Sequence, residues 1–154
     1  MAIYNLTFNG YYLSADALPE ETGVYLVYTC AYNSSIDKVT LKRLLYIGKS
    51  LKTENTNLRK EVKQHVENGK FDSYVNQGEQ LCFSYATCDG RSLDVVENSL
   101  IYMQGGLINK NLLYSFNHTS SLPATFNISG SCLGLDKTTF KIVKNPFTGI
   151  IQVL

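Results

Sequence analysis

The sequence predicts an α+β domain, a small central antiparallel β-sheet flanked by helices, with extra β segments toward its C-terminus. Three observations lead there. Residues 24–30 and 41–47 are dense in Val, Tyr, Leu and Ile, and residues 80–87 alternate Leu81, Phe83 and Tyr85 with Cys82, Ser84 and Ala86, the two-residue period of a strand. Leu58, Val62, His65 and Val66, and later Leu93, Val96, Leu100 and Met103, recur at the spacing of one helix face. Eleven Tyr and seven Phe with no Trp suit a pleated, half-buried surface.

The elements follow in order. Residues 3–8 alternate and are rich in β-formers, a first strand or a lead-in. Leu18-Pro19-Glu20-Glu21-Thr22-Gly23 is a turn, after which residues 24–30 form a strong strand. A polar loop around Asn33-Ser34-Ser35 leads to the strand at 41–47, making an antiparallel hairpin that Gly48 ends. The first helix runs from about Thr56 to Asn68-Gly69, and residues 71–75 make a short helical piece. Asp89-Gly90 turns the chain out of the third strand. Ser92 is placed to cap a second helix that reaches Gln104 and stops at Gly105-Gly106. Residues 124–129, 138–143 and 149–153 read as short strands between Gly-rich and Asn-Pro turns. One domain over residues 1–154 is expected, with a core at about 22–110 and an extension at 111–154, because a separate fold of fewer than about 50 residues would be marginal.

Composition narrows the classes. No basic, apolar leader opens the chain and no apolar run is long enough to span a bilayer, so a cytoplasmic protein with no membrane partner is expected. Cys30, Cys82, Cys88 and Cys132 form no C-x-x-C pair and read as reduced thiols. Net charge is +1, but residues 37–70 carry nine Lys/Arg against four acids. Such local excess is the electrostatic footprint of a phosphate-binding face, or a solvated helix face of mixed charge.

Phosphodiester hydrolysis needs a cation to polarise the phosphate, an activated water and charge stabilisation around phosphorus. Glu97 is a candidate Mg²⁺ ligand, since Mg²⁺ takes one or two carboxylates and keeps its waters. Gly23-Val24-Tyr25 and Tyr46-Ile47-Gly48-Lys49 each border a predicted strand, and Glu97-Asn-Ser-Leu-Ile-Tyr-Met-Gln-Gly-Gly-Leu-Ile-Asn109 lies on and after the second helix. Together these resemble the GIY-YIG endonuclease superfamily, over about Gly23 to Asn109. The resemblance implies a phosphodiester hydrolase that uses Mg²⁺ or Mn²⁺ on nucleic acid, duplex DNA foremost. Tyr25 would be a general base or water-orienting phenol, Tyr46 a phosphate or water contact, Lys49 a neighbouring cation and Glu97 the metal ligand. His65 matches a position held by His or Tyr, Gly23 and Gly48 are structural, and Asn109 ties the helix end to the hairpin. Lys49, Lys52, Arg59, Lys60 and Lys63 are the candidate nucleic-acid contacts.

One position departs. The family arginine that grips the scissile phosphate falls at Glu61, one turn before His65. A carboxylate there repels phosphate. Two functions are therefore expected from the residues: an endonuclease weakened at Glu61 or using it as a second metal ligand, and a catalytically inactive domain that binds DNA or a protein.

Overall fold

The computed structural model describes residues 2–110 and 115–154. Its strands are β1 (Ala2–Tyr12), β2 (Gly23–Asn33), β3 (Lys38–Ser50), β4 (Gln80–Thr87), β5 (Ala124–Gly130), β6 (Thr139–Lys144) and β7 (Ile151–Val153). The α-helices among the described residues are α1 (Leu58–Glu67) and α2 (Leu93–Met103). All seven strands form one sheet in the order β3-β2-β4-β1-β5-β6-β7.

This overturns the predicted fold class. The protein is built on a large mixed sheet, curled into a half-barrel, and not on a small antiparallel sheet flanked by helices. β1 is responsible for the difference. Its first part pairs parallel with β5, Ala2 through Phe8 opposite Ala124 through Gly130, and Asn9 and Tyr12 pair antiparallel with β4. The C-terminal strands thereby continue the sheet that contains the hairpin.

At one end, β2 lies between β3 and β4, antiparallel to both, with Tyr25 opposite Gly48 on one side and Tyr85 on the other. Residues 23–30 are buried without a break, as expected of a strand covered on both faces. Tyr25, Val27 and Phe83 meet Leu58 and Val62 of α1 on one face. Val24, Leu26, Tyr28 and Ile47 share the other face's core with Val96 and Leu100 of α2. The helices thus lie on opposite faces of the β2–β3 edge.

Local chemistry sets the helix ends. Asn57 caps α1, its side-chain oxygen accepting from the Lys60 amide at 3.0 Å. Ser92 precedes α2 as expected, but its backbone is already helical and its side chain caps nothing. At the far end of the sheet, Tyr4, Phe126 and Phe140 stack as a ladder across β1, β5 and β6, with centroids 5.0 and 4.8 Å apart. All four cysteines are free thiols. No helix among the described residues is long and apolar enough to cross a membrane.

Candidate active site at the edge of the sheet

Gly48 is the residue around which the candidate site is built. It lies opposite Tyr25 on the edge strand β3, and a Cβ there would run into the Tyr25 ring and hydroxyl and the Tyr46 ring. The missing side chain lets the buried Tyr25 phenol lie across β3 beside Tyr46, with ring centroids 6.0 Å apart. Phe71 and His65 complete the aromatic group, at 5.4 and 6.4 Å from the Tyr46 centroid. Gly23 sits at the start of β2, where a Cβ would meet the Ala86 carbonyl of β4.

α1 adds two polar groups on this face. His65 is one helical turn after Glu61, so both project toward the tyrosines. Burial raises the Glu61 carboxyl above its ordinary range; the Tyr25 hydroxyl, donating to it, pulls it back, Glu97 raises it further, and Lys70 and Lys49 lower it. Burial, followed by the Lys70 charge, pushes His65 below its ordinary value, so the imidazole is neutral at pH 7. Burial pushes the Tyr25 phenol far up, and Tyr46 and Glu61 add to this. With its proton so strongly retained, the Tyr25 phenol stands here as a hydrogen-bond donor, the water-orienting form of the role that the resemblance implied.

Glu97 arrives from the other face. Its helix packs behind β3, and it meets the group past the edge strand through Lys49, whose Nζ is 2.7 Å from Asp94 and 3.7 Å from Glu97. Burial raises the Glu97 carboxyl, Lys49 opposes this and Asp94 adds to it. Burial lowers Lys49, but the two carboxylates outweigh it and hold the ammonium above its usual range. Tyr25, Tyr46 and His65 therefore meet on one face while Glu97 and Lys49 come from the other and reach them only past the edge. This departs from the single concave face expected from the sequence for Tyr25, Tyr46, His65 and Glu97. Asn109 holds that edge: its side-chain amide donates to the Ile47 carbonyl at 2.8 Å, and the Ile108 amide donates to Leu45 at 2.8 Å.

The expected nucleic-acid contacts do not gather into one surface. Arg59 donates to the Leu18 carbonyl and pairs with Glu20, clamping the 18–22 turn onto the start of α1. Lys63 pairs with Asp16 at 2.8 Å, beside a cavity of about 330 Å³ lined by Leu13, Val66, Leu81 and Phe83. Lys60 and Lys52 are exposed. Two residues not singled out from sequence belong to the cluster, Asp94 through Lys49 and Lys70 against Tyr46. A signal for Asp94 was its position three residues before Glu97 on a helix, where the two share a face.

Among the described residues no three His, Cys, Asp or Glu side chains form a group that could hold a metal ion. Mg²⁺ needs less than this, one or two carboxylates and its own waters. Glu61 and Glu97 suit that demand as half-buried carboxylates, with the Glu97 charge raising the Glu61 carboxyl. Comparison with protein-family models, with curated proteins and with solved structures yields no match to this chain.

Proposed function

We propose that this protein is a divalent-metal-dependent endonuclease that hydrolyses nucleic-acid phosphodiesters, of the GIY-YIG type in its site residues. The observation that carries this is the assembly of Tyr25, Tyr46, Glu61, His65, Lys49 and Glu97 around one sheet edge, from four separate elements. Polar, half-buried groups drawn from distant parts of a chain are costly to maintain for packing alone, and perturbed carboxylates grouped with a neutral imidazole are the raw material of acid–base and metal-assisted hydrolysis.

Each side chain then has work suited to its state. Glu97, with Glu61 nearby, would hold Mg²⁺ or Mn²⁺, which when bound supplies Lewis-acid stabilisation to the phosphate. His65, neutral at pH 7, takes the proton from an attacking water at an imidazole nitrogen. Tyr25 would stay protonated beside Glu61 and help to orient that carboxylate. Lys49 keeps Glu97 in place through the Asp94 ion pair.

Glu61 at the family's arginine position supports a second reading, a domain that binds nucleic acid without cutting it. Incubation of supercoiled plasmid with the protein and Mg²⁺ or Mn²⁺ separates the two. The first reading expects nicked or linear product that Glu97→Ala and His65→Ala both abolish. Retained DNA binding with no product in any variant gives the second.

A further inference from the structure

Of the five cations that the resemblance nominated, Lys49, Arg59 and Lys63 are already engaged, while the exposed Lys52 and Lys60 show no contact with the Tyr46–His65 group among the described residues. Lys49 is held by Asp94 and Glu97, Arg59 by Glu20 and the Leu18 carbonyl, and Lys63 by Asp16. Lys70 is different. It is exposed, forms no ion pair with a carboxylate among the described residues, and its Nζ stands 3.3 Å from the Tyr46 hydroxyl and 4.6 Å from the Tyr46 ring centroid.

The end of α1 puts it there. Asn68 closes the helix and Gly69 follows in the left-handed region at φ 73°. The Lys70 amide bonds back to the His65 carbonyl and the Gly69 amide to the Val66 carbonyl, each at 3.1 Å, the paired bonds of a Schellman turn. That turn reverses the chain at the last helical residue and returns Lys70 over the Tyr46–His65 face. Its charge is felt by both polar groups of that face, Glu61 and His65. An ammonium beside a phenol hydroxyl, open to solvent on its far side, can take a phosphate oxygen without first breaking an ion pair.

We propose that Lys70 is the side chain that grips the phosphate at this site, binding a non-bridging oxygen of a nucleic-acid phosphodiester beside Tyr46. This rests on the hydrolase function proposed above. It also explains how a site with Glu61 in place of arginine keeps a cation at hand: the positive group comes from the turn after α1 and not from the helix itself.

The test uses the full chain and three forms, the wild type, Lys70→Met and Lys70→Arg, with two readouts. The first is NMR titration with the dinucleotide d(TpT) in Mg²⁺. Wild-type shifts should centre on Lys70, Tyr46 and His65, with affinity lost about 10-fold or more in Lys70→Met and largely restored in Lys70→Arg. The second is single-turnover cleavage of a duplex at saturating protein, where Lys70→Met should fall about 10²–10³-fold in rate, beyond the affinity loss seen with d(TpT), as for a contact that strengthens as charge develops. Lys70 is exposed and Gly69 carries the turn, so all three forms should melt alike. Lys70→Met binding d(TpT) and cleaving like the wild type overturns the inference, as does an equal loss in both variants, which would make the position rather than the charge responsible. The two proposals fail separately. A wild type that cuts nothing but loses d(TpT) only in Lys70→Met ends the hydrolase reading and keeps the phosphate grip. Active cleavage with d(TpT) shifts that avoid Lys70 does the reverse.

Discussion

The two ends of the sheet are built by different rules. Around β2 and β3, helices lie on both faces, and the polar groups gather where those faces meet at the open edge. Around β5 and β6, only one face is covered. Ala124, Phe126, Ile128, Phe140 and Ile142 are buried, while Asn127, Ser129, Thr139 and Lys141 face outward. Stability at that end comes from a stacked aromatic ladder, and no pair of shifted carboxylates interrupts it. The contrast separates what holds the sheet together from what is arranged for chemistry: an edge reached from two faces can collect side chains that one buried face could not tolerate.

The largest effect should come from the ladder. Phe126→Ala removes a fully buried ring between Tyr4 and Phe140 and should cost about 3–5 kcal/mol in urea unfolding. Cleavage per folded molecule should stay within about 2-fold, consistent with ordinary surface-remote effects. A matching fall in cleavage by the folded fraction would show that the two ends are coupled.

At the other end the order reverses. Gly48→Ala places a Cβ against Tyr25 and Tyr46, and overpacking of this kind costs about 1–3 kcal/mol. Here the chemistry should suffer more than the fold, because the tyrosines must move apart before a methyl fits. Wild-type activity in Gly48→Ala would remove the Tyr25–Tyr46 contact from the mechanism. Asn109→Ala should be milder. It strips the donor from the Ile47 carbonyl, worth about 1 kcal/mol, or roughly 2–4 °C in melting temperature for a chain of this size.

These effects also mark what the sequence could and could not reveal. Residues 24–30 and 41–47 announce strands because their apolar runs are bounded by turn residues, and α1 announces itself by Leu58 and Val62 one turn apart. The partner of β1 left no such trace. Alternation at residues 3–8 says strand, but nothing local says that Ala2 lies beside Ala124, so the extent of the sheet and its mixed character were missed. Site residues meet the same limit. Gly48 reads as the end of its strand, but β3 runs on to Ser50 and the glycine instead makes room for Tyr25. Arg59 and Lys63 counted as free cations until their distant acids, Glu20 and Asp16, were located. Lys70 lay in the basic stretch all along, but only the three-dimensional turn at Gly69 aims it.

The smallest predicted effect is a pH dependence at the edge. The folded pKa of Glu61 is raised, first by burial, so the folded state holds its proton where the unfolded chain has released it. The stability this group contributes is full below the unfolded carboxylate value and is lost as pH rises through the folded one. Glu61→Gln keeps an acceptor for Tyr25 and removes the charge. It should match the wild type in urea midpoint near pH 3.5 and exceed it modestly at pH 7.5. A wild type more stable than Glu61→Gln at pH 7.5 would mean that the carboxylate is favourably paired in the folded protein. The same experiment on Phe126→Ala should show a loss that does not change between the two pH values.

The edge cluster stands or falls most directly on one comparison, single-turnover cleavage of an end-labelled DNA duplex by the wild type and by Glu97→Gln, in Mg²⁺ and in EDTA. If the cluster is a metal-dependent hydrolytic centre, the wild type cuts in Mg²⁺ and stops in EDTA. Glu97→Gln, close in shape and melting like the wild type, should then lose about 10²-fold or more in rate. Equal cutting by the two proteins, or cutting by the wild type that survives EDTA, would contradict a metal-dependent centre at Glu97.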